Sequence, residues 1–391
     1  MIILSGKKYS RMFVFTVAVI GLLFLSLSLS RTALAASDLQ IKGQSCILLD
    51  AQTGEILYSQ NADLKWYPAS VTKIMTLVLA LEAVNDGRFR LEDIVTTSKE
   101  AADMGGSQVY LYEGEQRSLN EMLIAVAVGS GNDAAYAVAE FIAGSYNGFI
   151  EMMNKRAGEL GMSDTNYVNP HGLHDENHYT TAADLAKLAL HALSVKGLSD
   201  YTSIYEYKFR EEPKPLVLWN TNRLLKWYDG TDGMKTGFTQ ESKYNLVTTA
   251  VRGKMRLISV VLGVPERNGH FTESMKLLNY GFSQFEYVPI YPVGQILGTV
   301  SVQGGKTEAV EFMPSVDVGV SQKRGDKSEL TVRIVCRSDL KAPISKGEQV
   351  GELILMKGDS ELSRFPLVAV NDVEKGTWSI LLKKLFRHVS L

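Results

Sequence analysis

The sequence predicts an α+β protein: a first domain of helices packed on an antiparallel sheet, then a small all-β domain. Two observations carry this. A strand hairpin, a helical middle, and a return to strands with one last helix succeed each other up to about residue 287. That order is expected when helices pack on one sheet. After Pro289 helical periodicity vanishes, and short runs alternate with Gly, Asp and Lys turns.

The elements follow in order. Lys7, Lys8 and Arg11 precede an apolar run from Met12 to about Leu29, and Ala33-Leu34-Ala35 forms a small-x-small site. This is the layout of a secretory signal peptide over 1–35, with a mature start near Ala36. A retained membrane anchor is the rival, since the run approaches spanning length. Ser45 to Asp50 and Glu55 to Ser59 read as a hairpin about the turn Ala51-Gln52-Thr53-Gly54. Val71 to Val84 is helical, with Ile74, Leu77, Val78 and Leu81 in phase. Leu119 to Val128 is apolar nearly all round, as a buried central helix would be. Asn132 to Ala143 and Ala182 to Leu193 are helical, Asn245 to Ala250 and Leu257 to Val264 are strands, and Glu273 to Phe285 is the last helix. This first domain is expected over 36–287.

A β-sandwich is expected over 290–372, from the runs Gly298–Val302, Ala309–Met313, Leu330–Cys336, Gly351–Met356 and Leu362–Val370. Over 376–391, Trp378, Leu381, Leu382, Leu385, Phe386 and Val389 fall on one helical face, opposite Lys383, Lys384, Arg387 and His388. Such a basic amphipathic helix suits a membrane interface carrying anionic lipid. Its rival is a helix docked on its own β domain.

Composition is that of a soluble globular protein, and the net charge of −2 gives no reason to expect nucleic acid as a partner. Export would permit a disulfide between the two cysteines, Cys46 and Cys336. Both sit in apolar, strand-like stretches of separate domains, which favours two buried free thiols.

Three short motifs carry chemistry. In Pro68-Ala69-Ser70-Val71-Thr72-Lys73, Ser70 opens a helix and Lys73 follows one turn later on the same face. A serine hydroxyl needs a base within hydrogen-bond reach, and a lysine serves only when neutral, which burial and nearby positive charge bring about. The helix start favours negative charge on Ser70. Ser-x-x-Lys alone is weak: Ser5-Gly6-Lys7-Lys8 also fits, and an ordinary helix cap at Ser70 is the bland reading. Ser130-Gly131-Asn132 comes second. Ser118-Leu119-Asn120 and Ser145-Tyr146-Asn147 match it by chance, and a turn with a helix cap is the bland reading. Functionally, Ser130 relays a proton to a leaving amine and Asn132 holds a peptide amide at the mouth of a cleft. Lys235-Thr236-Gly237 comes third and occurs once. On an edge strand, Gly237 lets a substrate backbone approach, while Lys235 and Thr236 bind a carboxylate. A solvated strand end is the alternative.

Together and in this order the three are specific. On these residues the sequence resembles the D-alanyl-D-alanine carboxypeptidase family of low-molecular-weight penicillin-binding proteins. Gly105-Gly106-Ser107, Tyr112-Glu113-Gly114-Glu115, Asp133-Ala134, Asn169-Pro170-His171-Gly172-Leu173 and Tyr179-Thr180-Thr181 agree with the family's pattern. The resemblance runs from about Cys46 to Phe285 and continues more loosely beyond. It implies a β-lactamase/transpeptidase-like first domain, no cofactor and no metal. It also implies removal of the terminal D-alanine from peptidoglycan pentapeptides, with β-lactams as inhibitors, by a protein peripheral on the outer face of the cytoplasmic membrane. In that reading Ser70 is the nucleophile, Lys73 the base and Ser130 the proton relay. Lys235 holds the terminal carboxylate, and Asn132, Thr236 and Gly237 position substrate. The oxyanion sits between the backbone N–H groups of Ser70 and Phe238. Glu241-Ser242-Lys243-Tyr244-Asn245 departs from the small, Ala-Gly-like segment usual in the family, which bears on substrate preference.

A class A β-lactamase needs a glutamate for its deacylating water, and none is evident between Ser130 and Lys235. A metal site at His171, His174, His178, Asp175 and Glu176 requires helical spacing, but Pro170, Gly172 and Asn177 make this a loop that floors the cleft. A non-catalytic wall- or β-lactam-binding protein would not need Ser70, Lys73 and Ser130 together. A D,D-endopeptidase acting on wall cross-links would use the same residues.

Overall fold

The computed structural model describes residues 39–212 and 214–377. The leader expected at 1–35 and nearly all of the tail helix expected at 376–391 lie outside them.

β1 (Ser45–Asp50) and β2 (Ile56–Gln60) form the first hairpin. A 3-10 turn at Ala69–Thr72 runs into α1 (Lys73–Asn85). A small ribbon, β3 (Ile94–Thr96) with β4 (Gln116–Ser118), encloses the one-turn helix α2 (Lys99–Ala102). Then come α3 (Leu119–Ala127), α4 (Asn132–Ala143), α5 (Tyr146–Glu159), α6 (Ala182–Ser194) and α7 (Leu198–Thr202). A second ribbon pairs β5 (Glu206–Arg210) with β6 (Leu216–Trp219), and α8 (Leu224–Trp227) follows. β7 (Thr231–Thr239), β8 (Lys243–Arg252), β9 (Met255–Val264) and α9 (Gly269–Gln284) complete this part.

The central sheet has the order β2-β1-β9-β8-β7, antiparallel throughout. The expected α+β architecture is thus present, and β7, which carries Lys235-Thr236-Gly237, is one of the two edge strands of this sheet. α3 is buried as its composition predicts, but α1 is the more central helix. Ile74, Met75, Leu77, Val78, Ala80 and Leu81 are all at most 2% exposed. An apolar surround on every side selects such a helix for the middle of a domain. It fixes the Ser70–Lys73 turn against the rigid core.

From Phe285 the chain is all β: β10 (Phe285–Tyr291), β11 (Gly298–Ser301), β12 (Ala309–Pro314), β13 (Val318–Lys323), β14 (Leu330–Cys336), β15 (Gln349–Lys357) and β16 (Ser360–Ala369). β10 pairs with β13, and the rest form a sheet of order β11-β12-β16-β15-β14. Both contribute to one core around Phe312, Val320, Leu353, Phe365 and Leu367. Ser321 donates to Asp50, Gln52 donates to the Asp317 carbonyl, and Lys254 pairs with Asp317 at 2.8 Å. These contacts tie the β part to the first hairpin and to the β8–β9 turn.

Both cysteines are free. Cys46 is buried, and burial pushes its thiol up to about 12. Cys336 corrects the expectation of two buried thiols: it is partly exposed, because β14 is an edge strand.

Candidate active site

Two serines of the motifs start helices without capping them. Ser70 lies inside the 3-10 turn, between the N-cap residues Pro68 and Thr72. Ser130 precedes Gly131, which is the N-cap of α4 and makes no side-chain cap bond. The chance matches behave otherwise. Ser118 closes a capping box with Glu121, and Ser145 accepts from the Gly148 N–H. The bland reading therefore describes Ser118 and Ser145, and leaves Ser70 and Ser130 available for other work.

Lys73 is fully buried, and its Nζ donates to Ser70 Oγ at 2.9 Å, to Asn132 Oδ1 at 2.7 Å and to the His171 carbonyl at 2.7 Å. Three oxygens thus surround the amine. Burial, and next the charge of Lys235, hold this amine well below the ordinary lysine range. The nearby Asp133 opposes them. Its buried carboxylate is occupied by the backbone N–H groups of Val109, Leu111 and Ala134 at 2.9–3.2 Å. Asp133 thereby pins the 109–111 strand of loop to the start of α4. Asn132 does the same one residue earlier: its N–H donates to the Ser107 carbonyl at 2.7 Å, and its Nδ2 to the Gly105 carbonyl at 2.7 Å.

Lys235 is also buried, and burial lowers it to about 7. Its Nζ reaches only neutral oxygens, Thr221 Oγ1 at 3.4 Å and the Thr236 carbonyl at 3.3 Å. Thr236 donates to Thr221 Oγ1 at 2.7 Å. A buried cation facing hydroxyls, with no carboxylate among its described partners, is equipped to receive an anion.

The backbone around Ser70 is tight. A Cβ on Gly237 would meet the Pro68 carbonyl at 2.6 Å and the Ser70 nitrogen at 3.1 Å, so only glycine lets β7 pass beside the Ser70 N–H. A Cβ on Gly172, at φ +91°, would lie 1.8 Å from the Ala69 carbonyl oxygen. Ala69 and Ser130 have φ of 49° and 56°, left-handed values that cost a non-glycine residue roughly 1 kcal/mol or more. They flank the site on both sides.

The 169–178 segment is a loop, as Pro170 and Gly172 indicate, and it packs against Lys73 through the His171 carbonyl. His171 gives its carbonyl to Lys73, and its Nδ1 accepts from the Leu173 N–H at 3.2 Å. His178 Nδ1 accepts from the Val168 N–H at 3.1 Å, so its Nε2 carries the proton that reaches Thr72 Oγ1 at 2.7 Å. Burial lowers both imidazoles, to about 3 and about 4. They are neutral spacers, committed to backbone and hydroxyl partners.

Ser70, Ser130, Thr236, Gly237 and Phe238 line one cleft of about 690 Å3. Lys73, Asn132 and Lys235 stand buried behind it. Sequence reasoning gave no role to three contributors, of which Asp133 and Asn245 were noted only as part of a pattern and Thr221 not at all. Thr221 bridges to Lys235 and Thr236. Asp133 positions the loop before the second motif. Asn245, fully buried, donates to the Tyr67 and Pro68 carbonyls at 2.8 and 3.1 Å and accepts from the Gly263 N–H at 2.8 Å. Asn245 lies in the segment that departs from the usual pattern, and it clamps the approach to Ser70 onto the sheet.

The chain is similar to known proteins along most of its length. Residues 32–266 match the family described as D-alanyl-D-alanine carboxypeptidase, and residues 285–375 match the one described as penicillin-binding protein 5, C-terminal domain. The chain is 41% identical over 353 residues to the D-alanyl-D-alanine carboxypeptidase DacF of Bacillus subtilis, covering 89% of this chain and 90% of that protein. It is 32% identical over 366 residues to DacA of Escherichia coli K12, covering 89% of each. Among solved structures, penicillin binding protein 5 from Haemophilus influenzae aligns with a TM-score of 0.67 at 34% identity, over 86% of this chain and 98% of that one. A Streptococcus pneumoniae peptidoglycan synthesis regulatory factor (PBP3) aligns with a TM-score of 0.73 at 28% identity, over 86% of this chain and all of that one.

Proposed function

The chain belongs to the D-alanyl-D-alanine carboxypeptidase family, and from that premise we propose how its own residues perform the reaction. It is a serine-type peptidase that removes the terminal D-alanine from peptidoglycan stem peptides and binds penicillin. The observation that carries the residue assignment is the Lys73 amine, buried, lowered and 2.9 Å from Ser70 Oγ.

The terminal carboxylate of the peptide enters beside Lys235, Thr236 and Thr221, and its charge restores the proton to Lys235. Asn132 and the β7 backbone at Gly237 align the substrate amide. Ser70 Oγ attacks the carbonyl between the two D-alanines while Lys73 takes the hydroxyl proton. Negative charge on the carbonyl oxygen is met by the N–H groups of Ser70 and Phe238, which Gly237 allows to lie close together. Ser130 delivers a proton to the departing D-alanine nitrogen and takes one in turn from the Lys73 ammonium, which leaves Lys73 neutral again. Water then hydrolyses the ester on Ser70, with Lys73 again as base. A β-lactam is attacked in the same way, but its amine stays attached and the ester persists.

The test is a time course of D-alanine release from diacetyl-lysyl-D-alanyl-D-alanine. Wild type releases D-alanine and penicillin blocks it, while Ser70→Ala loses both release and labelling. Stable penicillin labelling of Ser70 without release would argue for a binding protein instead; no labelling at all would remove Ser70 from the site.

The same reading places the protein outside the cytoplasm, peripheral on the membrane. Its support is the sequence at 1–35 and the basic amphipathic pattern of Trp378 to Val389. Among the described residues no helix is long and apolar enough to cross a membrane. Deleting Thr377–Leu391 is expected to release the mature protein from anionic vesicles in a flotation assay, with D-alanine release unchanged. Continued flotation with the vesicles would end the tether idea.

A further inference from the structure

The C-terminal sheet ends differently on its two sides. Its order leaves β11 and β14 as edges. β11 is four residues long, a short edge that offers little to pair with. β14 is seven residues long and follows β15 without a bulge. It carries neither the proline nor the lysine that commonly blunts an edge. Instead Ile334 and Val335 stand 39% and 47% exposed.

The backbone of β14 is only half used. Just past its end, the Arg337 N–H donates to the Val350 carbonyl at 2.9 Å, toward β15. Directions alternate along an antiparallel ladder, so Thr331, Arg333 and Val335 also turn their N–H and C=O groups toward β15. Leu330, Val332 and Ile334 aim theirs the other way, where no described strand receives them. The side chains divide by face. Leu330, Val332 and Cys336 pack against the core, and Ile334 carries their row into solvent. On the other face Arg333 is exposed, as is Glu329 just before the strand. Among the described residues neither forms an ion pair; Glu361, which feels the Arg333 charge, is held by Arg364 at 2.7 Å.

We propose that β14 pairs antiparallel with β14 of a second copy of this chain, about a two-fold axis through Val332. Charge and apolar pattern select that register. Val332 meets Val332 of the second copy, and Leu330 meets its Ile334, so one apolar row continues from core to core. On the other face Thr331 lies opposite Arg333 of the second copy, and Glu329 reaches that Arg333 diagonally. The axis makes this ion pair twice. An axis through Arg333 sets the two guanidiniums directly opposite each other. One through Ile334 sets them diagonally and takes Glu329 out of their reach. The outward N–H and C=O groups of Leu330, Val332 and Ile334 are satisfied, and two five-stranded sheets join into one. None of the pairing residues lines the cleft. Two such edges bury less than the ~1,200 Å2 of a stable complex, so the association is weak.

The experiment is sedimentation velocity on the purified full chain in mild non-ionic detergent, from about 1 to about 100 µM. Wild type is expected to pass from monomer to dimer across this range. Arg333→Glu and Glu329→Arg each set like charges together at two places, and each is expected to raise the dimer Kd at least about tenfold. The two substitutions combined restore opposite charges and should bring Kd back to within about threefold of wild type. D-alanine release by every variant should stay within about twofold of wild type, which shows that each is folded. Wild type that stays monomeric at the highest concentration refutes the pairing and leaves the edge to an extended segment of some other protein. A dimer indifferent to both single reversals is carried by another surface and refutes it too. So does a combined variant that dimerises no better than the single ones.

Discussion

The cleft and the C-terminal β part are built on opposite terms. Around Ser70 the interior holds charge: Lys73, Asp133 and Lys235 are each at most 1% exposed, and the backbone is forced left-handed at Ala69, Ser130 and Gly172. In the β part the core is apolar, from Val310 and Phe312 to Leu353 and Leu367, and its ion pairs lie outside. Buried charge and strained backbone destabilise a fold, whereas apolar burial stabilises it. Function is concentrated where stability is spent, and the β part, joined through Asp50, Gln52 and Lys254, is built the other way.

Replacing Lys73 with Met should give the largest effect. The base is gone, so D-alanine release is expected to fall by about a thousandfold or more, the cost of removing a member of a nucleophile–base pair. The melting temperature should hold, because a buried amine that must be desolvated gives way to an apolar chain of similar length. A thermal scan in which Lys73→Met melts well below wild type would mean that the cleft is not a stability debit, and the contrast would fail.

Leu353→Ala is the converse. Leu353 is fully buried on β15, and its truncation should cost about 2–5 kcal/mol of unfolding free energy. The kcat for D-alanine release should stay at the wild-type value below the transition. Denaturant titration followed by activity at each point checks both halves. A drop in kcat at full folding would show that the β part shapes the cleft.

Legibility in the sequence follows the same division. The central helices were plain because apolar residues surround them. α5 was not, because only Phe149, Met153 and Ala157 are buried, a stripe one residue wide per turn. β13 was missed because glycine and serine interrupt its apolar run in Val318–Lys323. Ser70, Lys73 and Lys235 stood out in the sequence because three motifs coincide, and the fold brings them together. The contacts of Thr221, Asp133 and Asn245 were not legible, since a threonine, aspartate or asparagine carries no local signal of the distant groups it will meet, even where, as at Asp133, it sits beside a motif. Asn245 even lay in the segment that looked aberrant, yet its amide joins Tyr67, Pro68 and Gly263, partners 178, 177 and 18 residues away.

The gentlest test of the contrast is pH. Lys235 ordinarily holds its proton to about 10.5, and burial lowers it to about 7 in the folded protein. Between those values the unfolded chain binds more protons than the folded one, so stability should rise with pH across that window. Activity should move the other way. A neutral Lys235 cannot pair with the substrate carboxylate, so kcat/KM is expected to decline as pH rises through about 7, while Lys73, itself lowered, stays available as a base. Lys235→Arg keeps the charge at every working pH. It should flatten the alkaline decline in kcat/KM and remove part of the stability gain at high pH, even if geometry lowers the plateau. A kcat/KM for wild type that is level from pH 7 to about pH 9 would show that substrate meets an already protonated Lys235, and that burial there exacts less than the geometry implies.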